Sequence, residues 1–243
     1  MIDIHNHLIP NIDDGSDSLE LSRHLLKEAI EEGITDVLIT PHYMPKGEYR
    51  VKRTELTKLF NEFKSACVDL KINMYLGNEL FIDSRLDEII ENNEVCTMNE
   101  SGYVLVEFPF TDYKDDYDEY LYNISLSKKI IIAHPERYEY VQNDHEFVRR
   151  WLDNGYYLQA NQTFRFSKTE KKTAFDLIEK GRLSFIASDA HSEYRPVHLK
   201  SCYELIERKF NKQTADYLFE INPRNVIENK KIKKIQPVKK KLF

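Results

Sequence analysis

Seven short runs rich in Val, Ile and Tyr alternate with amphipathic stretches along most of the chain, and this alternation is the strongest constraint on its fold. The runs fall at 2–5, 36–40, 73–76, 103–107, 130–133, 156–160 and 184–187. Between and after them the spacing predicts helices over 19–32, 54–70, 83–91, 118–128, 144–154, 169–180 and 199–210. The first has Leu21, Leu25, Leu26, Ala29 and Ile30 on one stripe and Gly33 as its stop. Consecutive β–α units require crossovers between parallel strands. Continuous apolar strands such as "KIIIA" predict burial on both faces. At 243 residues with no linker or repeat, the expectation is one α/β domain, a closed or nearly closed barrel. A doubly wound open sheet is the alternative.

Scarce glycine removes several function classes. There are seven, and the closest two, Gly33 and Gly47, are fourteen residues apart. G-x-G-x-x-G, the Walker loop and G-x-S-x-G all need glycines within about five residues of each other. Three cysteines, Cys67, Cys96 and Cys202, form no C-x-x-C pair and no even set, which predicts a reducing, cytoplasmic setting. No basic segment leading into an apolar run follows Met1, so no signal peptide is expected. The net charge is −6, yet residues 229–243 carry seven lysines and no acid, leaving residues 1–228 at −13. A body that acidic repels nucleic acid.

Polar residues collect where the predicted strands end. His5 and His7 close the first, His42 the second, Glu79 follows the third, Glu107 ends the fourth, His134 the fifth, and Asp189 and His191 the seventh. Asp14 lies in the loop after the first. In an α/β barrel the carboxyl ends of all strands share one face, so these nine groups are expected to converge. A lone histidine at a strand end is ordinarily a packing residue. His5-x-His7 on one strand, however, aims both imidazoles to the same side. Four carboxylates and five imidazoles at one mouth call for divalent cations, with Zn, Mn or Fe suited to the mixture. Nine groups can hold two or three ions, and the residual charge suits metal-assisted phosphoester hydrolysis.

At "DIHNHLIPNIDDG" the chain resembles the polymerase-and-histidinol-phosphatase (PHP) superfamily. "TPHY", "GNE", "VEFP", "AHPERY", "ASDAHSEYRP" and "INPRNV" look like its bacterial capsule and exopolysaccharide branch of protein-tyrosine phosphatases. The resemblance spans residues 1–228 and implies a distorted (β/α)7 TIM-like barrel with a trinuclear, manganese-preferring centre. It implies that His5, His7, Glu79 and Asp189 hold one ion. Glu79 would bridge to a second, completed by Glu107 and His134, and Asp14, His42 and His191 would hold the third. Arg137 and Arg195, in matching motifs, would grip phosphate oxygens. The implied substrate is the phosphotyrosine tail of a membrane-associated bacterial tyrosine kinase.

Two readings compete with this one. A small-molecule phosphatase acting on histidinol phosphate or a sugar phosphate would keep the same ligands, and a non-catalytic phosphoprotein-binding module would use the metals structurally. Cys202 to Arg208 formally satisfies C-x5-R, but the intervening residues are bulky and helical in pattern, unlike a phosphate-cradling loop. Glu136 and Tyr138 carry no assigned role, and His24, His145 and His198 fall outside the strand-end register. The lysine-rich tail, 229–243, is expected to be a solvated end, or else an electrostatic guide toward an anionic membrane or an acidic kinase segment.

Overall fold

The computed structural model describes residues 1–162 and 167–241. Its strands are β1 Ile2–Asp3, β2 Asp36–Ile39, β3 His42–Tyr43, β4 Asn73–Leu76, β5 Glu79–Phe81, β6 Tyr103–Glu107, β7 Lys129–Ala133, β8 Tyr157–Asn161 and β9 Phe185–Ala187. All ladder pairs are parallel, in two sheets ordered β1-β2-β4 and β3-β5-β6-β7-β8-β9. The second and third strands expected from the sequence are each interrupted and continued. Pro41, which has no N–H for the ladder, separates β2 from β3, and Gly77-Asn78 separates β4 from β5. Pairing resumes across the gap, because Glu79 N–H donates to the Pro41 carbonyl at 3.1 Å.

Closure decides between barrel and open sheet. Beyond the ends of β1 and β9 the chain forms a parallel bridge, Asn6 to Ala190. His7 N–H donates to the Ala190 carbonyl at 2.9 Å, and Asp189 N–H to the His5 carbonyl at 2.8 Å. Lower down, the buried Asp3 carboxylate accepts from the Ser188 N–H at 2.9 Å and from the Ser188 hydroxyl at 2.6 Å. Side-chain bonds thus complete a seam that the short β1 leaves to them. The chain is a distorted seven-position barrel, as the sequence suggests.

Strand residues alternate between two apolar layers. Leu38, Tyr103, Leu105, Ile131, Ala133, Phe185 and Ala187 fill the barrel interior, while Val37, Ile39, Val104, Val106, Ile130, Ile132 and Ile186 pack under the helices. That double burial explains the continuous apolar runs. On β6 the inward series Tyr103, Leu105, Glu107 ends in a carboxylate, so the same alternation that packs the core delivers a charge to the mouth. The expected helices are present; the first, Leu19–Glu31, is capped by Ser18, which accepts from Leu21 N–H, and is followed by Gly33 at φ +83°. The helix expected over 144–154 is Glu146–Asp153, and a short helix not anticipated, Glu139–Asn143, precedes it.

The chain end departs from the expectation. A helical run not anticipated from the sequence covers Lys212–Asp216, a π-helical turn Tyr217–Ile221, and Asn222–Ile227, which has Pro223 in its first turn. The lysine-rich segment then crosses the barrel floor, the end opposite Glu107 and Asp189. The Tyr103 hydroxyl donates to the Lys230 carbonyl at 2.7 Å, Asn222 exchanges two bonds with the Lys233 backbone, and Val238 N–H donates to the Glu179 carbonyl at 2.9 Å. Ile232 is 3% and Ile235 7% exposed, whereas all seven lysines face solvent. A freely solvated tail is therefore the wrong picture: two isoleucines pin it. Leu242 and Phe243 lie outside the described residues. Among the described residues no helix is long and apolar enough to cross a membrane.

Candidate metal centre

All nine strand-end groups meet at the carboxyl mouth. Two of them get there through unusual backbone. His134 at φ 31°, directly after β7, and Asp189 at φ 53°, two residues after β9, adopt the left-handed region. Such conformations cost non-glycine residues on the order of 1–3 kcal/mol and persist only where surroundings impose them. Gly15 lets the Asp13-Asp14 loop close over His7: a Cβ there would lie 2.3 Å from the His7 carbonyl oxygen.

The orientation of His5 and His7 is set from behind. His5 Nδ1 lies 2.8 Å from Gln159 Oε1, whose amide is itself oriented by donating Nε2–H to Ala160 O and Asn161 Oδ1. His7 Nδ1 lies 2.7 Å from Asp13 Oδ2. Both Nδ1 atoms therefore carry the proton, and both Nε2 atoms present lone pairs, 3.2 Å apart. Facing them are Glu79 Oε2, at 3.1 and 3.3 Å, and Asp189 Oδ1, at 3.5 Å from each. Four electron-rich atoms turned toward one another repel unless a cation lies among them.

Two further groupings share these walls. His134 Nε2 lies 2.9 Å from Glu79 Oε1 and 3.6 Å from Glu107 Oε2. His42 Nδ1 lies 3.2 Å from Glu79 Oε2 and 3.1 Å from Glu107 Oε1, yet His42 Nδ1 and Glu107 Oε1 are buried without a hydrogen-bond partner. Buried polar atoms left unpaired in this way fit coordination to a cation. Asp14 Oδ1 approaches His42 Nε2 at 3.3 Å and His191 Nε2 at 3.6 Å. Three overlapping sets result: His5, His7 and Asp189; His42, Glu79 and Glu107; and His7, Asp14, His42 and His191. His7 and His42 thus each face two sets, where sequence reasoning gave each one, and His134 joins none of the three although it lies against Glu79.

The electrostatics are those of a tightly facing donor set. Burial pushes the Glu79 pKa up, but the His5 and His42 charges more than reverse this and hold it well below the carboxylate range. Burial also opposes charge on His42, yet Glu79 raises its pKa to about 9. His191 moves down, through burial and then His7. Protons on imidazoles can serve these contacts singly, whereas a dication serves several donor atoms together. The donors therefore fit divalent metal.

Arg137 and Arg195 stand at the rim on one shared anchor. Asp189 Oδ2 accepts from Arg137 Nη1 at 3.3 Å, from Arg195 Nη2 at 2.5 Å and from Asn161 Nδ2 at 2.5 Å. The His5, His7 and His191 imidazoles, and then Arg195, hold Asp189 well below its usual pKa despite burial. Each guanidinium keeps other N–H groups for a ligand.

Sequence reasoning missed Asp13, Gln159 and Asn161, which orient ligand candidates without joining the sets. Glu136 is fully buried, accepts from Asn161 N–H at 2.8 Å, and has its pKa raised by burial to about 8. Tyr138 is structural: its hydroxyl accepts from Phe108 N–H at 3.0 Å. His24 pairs with Glu28, His145 with Asp176, and His198 precedes a helix, all away from the mouth. Cys202 lies buried within the helix Leu199–Lys209, so C-x5-R forms no phosphate loop here.

The sequence profile of the CpsB/CapC family, capsular polysaccharide synthesis, matches residues 1–228. A putative tyrosine-protein phosphatase CapC from Staphylococcus aureus is 32% identical, covering 98% of this chain and 95% of its own. Tyrosine-protein phosphatase CpsB from Streptococcus pneumoniae is 30% identical, covering 93% and 98%. A crystal structure from work on YwqE of Bacillus subtilis and CpsB of S. pneumoniae, described as metal-dependent tyrosine phosphatases, superposes with a TM-score of 0.92. It is 25% identical over 100% of both chains.

Proposed function

The chain belongs to the CpsB/CapC family of capsular polysaccharide synthesis, and from that premise we propose that it is a metal-dependent protein-tyrosine phosphatase. The observation that carries this reading is the confrontation of the His5 and His7 Nε2 lone pairs with Glu79 and Asp189. In this proposal His5, His7, Glu79 and Asp189 hold one ion. Glu79, Glu107 and His134 would hold a second, and Asp14, His42 and His191 would hold a third. Manganese is the proposed metal, ahead of iron or zinc. Bound metal supplies two things: a lowered pKa for water, so that a nucleophile exists near neutral pH, and neutralisation of phosphate charge.

The protein's own residues supply the rest. Arg137 and Arg195 reach the non-bridging phosphate oxygens with the N–H groups that Asp189 leaves unused. Asp13 and Gln159 keep two imidazoles in the ligand tautomer. A phenol, with a pKa of about 10, leaves without a dedicated acid. The proposed substrate is the phosphotyrosine segment of a bacterial tyrosine kinase, met in the cytoplasm beside its membrane, with the basic floor touching anionic lipid.

A chelator and a thiol reagent test the chemistry. The manganese-loaded protein is expected to hydrolyse a phosphotyrosyl peptide, to lose that activity on chelation and to keep it after alkylation, since Cys67, Cys96 and Cys202 are all buried. Activity that survives chelation would overturn the metal reading. Faster turnover of histidinol phosphate at equal enzyme would favour the small-molecule alternative.

A further inference from the structure

The mouth has an aromatic wall that no ligand set explains. Phe110, in the loop after β6, is 40% exposed, whereas Phe108, two residues earlier, is 1% exposed and stacks on Trp151 in the core. The backbone of Phe110 is pinned, its carbonyl accepting from Glu139 N–H at 2.8 Å. Its ring stands 5.7 Å from the His134 ring and 4.4 Å from the Arg137 guanidinium carbon. One ring therefore adjoins both the cluster and one of the two rim arginines, with part of its surface left to solvent.

That position has a consequence for the ester group. A phosphoryl held over the cluster with an oxygen on Arg137 must project its ester substituent out of the mouth, past the residues that flank Arg137. A phenyl ester offers a ring that can meet Phe110 edge-on or offset, a pairing worth more than the area it covers. An alkyl ester offers a methylene. We infer that Phe110 is a specificity-determining residue that selects aryl over alkyl phosphomonoesters at this mouth. This rests on the phosphatase reading above and deepens it. Phe110 also lies against the Arg137 guanidinium, so the test must separate ring recognition from support of the arginine.

Two non-hydrolysable probes separate them: phenylphosphonate and methylphosphonate share the oxyanion head and differ in the ring, and neither depends on leaving-group reactivity. Their Kd values are measured by calorimetry on the manganese-loaded full chain, as wild type, Phe110→Leu and Phe110→Trp. Phe110→Leu is expected to weaken phenylphosphonate about two- to ten-fold, the range of one aromatic pair, and methylphosphonate less than about twofold. Phe110→Trp is expected to keep the wild-type preference. Equal weakening of both probes would mean that the ring only props Arg137, and no change in either would mean that it touches nothing; each result overturns the inference. Wild-type protein with no metal-dependent aryl phosphatase activity would instead overturn the function on which it rests.

Discussion

Asp13 and Asp14 are neighbours with opposite fates. Asp14 is half exposed and turns to His42 and His191, while the Asp13 side chain is buried and holds His7 Nδ1 at 2.7 Å and His42 N–H at 2.9 Å. A carboxylate behind a metal-facing imidazole fixes its tautomer and raises its basicity, and its loss typically costs 10–100-fold in metal affinity. Asp13→Asn keeps the shape and removes the charge. It is expected to lower metal affinity by about ten-fold, read as metal retained after dialysis against a competing chelator, with the thermal unfolding of the metal-free protein little changed. Undiminished affinity would make Asp13 a loop residue only. The strand-end register made Asp14 legible because sequence position alone put it near the mouth. Asp13 and Gln159 were not legible, since each acts through a bond to an imidazole, and for Gln159 that bond spans 154 residues.

At the scale of elements, the strands were legible from their apolar runs, and their ends from the polar residues that stop those runs. What pattern could not show is how the ends are tied. Pro41 and Gly77 look like simple terminators in sequence, yet each is a gap that the sheet bridges. "INPRNV", one of the motifs that carry the family resemblance, serves the floor. Arg224 grips Asp36, at the start of β2, through Nη1 at 2.9 Å and Nη2 at 2.5 Å, and Asn222 Nδ2 donates to the Ser184 carbonyl at 3.1 Å, just before β9. Burial raises the Asp36 pKa, but the Arg224 hydrogen bonds, with Thr35 and Asn73, bring it below its usual value. A depressed folded pKa means that this stabilisation is present above the unfolded value, about 3.9, and is lost as pH falls through the folded one. Asp36→Asn should therefore cost about 1–3 kcal/mol near neutral pH, and the deficit should shrink as the pH drops below about 4. Urea unfolding of both proteins at several pH values measures it. A deficit that does not change with pH would assign the loss to packing instead.

Across the whole molecule, charge is segregated along the barrel axis. The mouth gathers carboxylates and imidazoles, and the strap across the floor displays seven lysines. The alternation in "KKIKKIQPVKKK" hid two roles in one composition: Ile232 and Ile235 face the protein while the lysines face out, so the strap is both a structural closure and a basic surface. Lysine content suggested the second role and concealed the first. Removing the segment would confound the two, because cutting back even one buried isoleucine, as in Ile232→Ala, is expected to cost about 2–5 kcal/mol. Replacing Lys231, Lys233, Lys234, Lys239 and Lys241 with glutamine leaves the pins in place. Among the described residues none of these five lysines forms an ion pair, whereas Lys230 is held by Glu228. Their field is therefore free to act on an anionic surface, within a screening length of about 10 Å at 0.1 M salt. The five-fold variant is expected to keep its melting temperature and its turnover of a small aryl phosphate. It should lose co-sedimentation with phosphatidylglycerol vesicles, and wild-type binding should itself fade as salt rises. Because the floor and the mouth are opposite ends, a molecule held by its lysines would present its candidate metal centre away from the lipid. Equal vesicle binding by wild type and variant at low salt would leave the lysines as a solvated surface over the barrel floor.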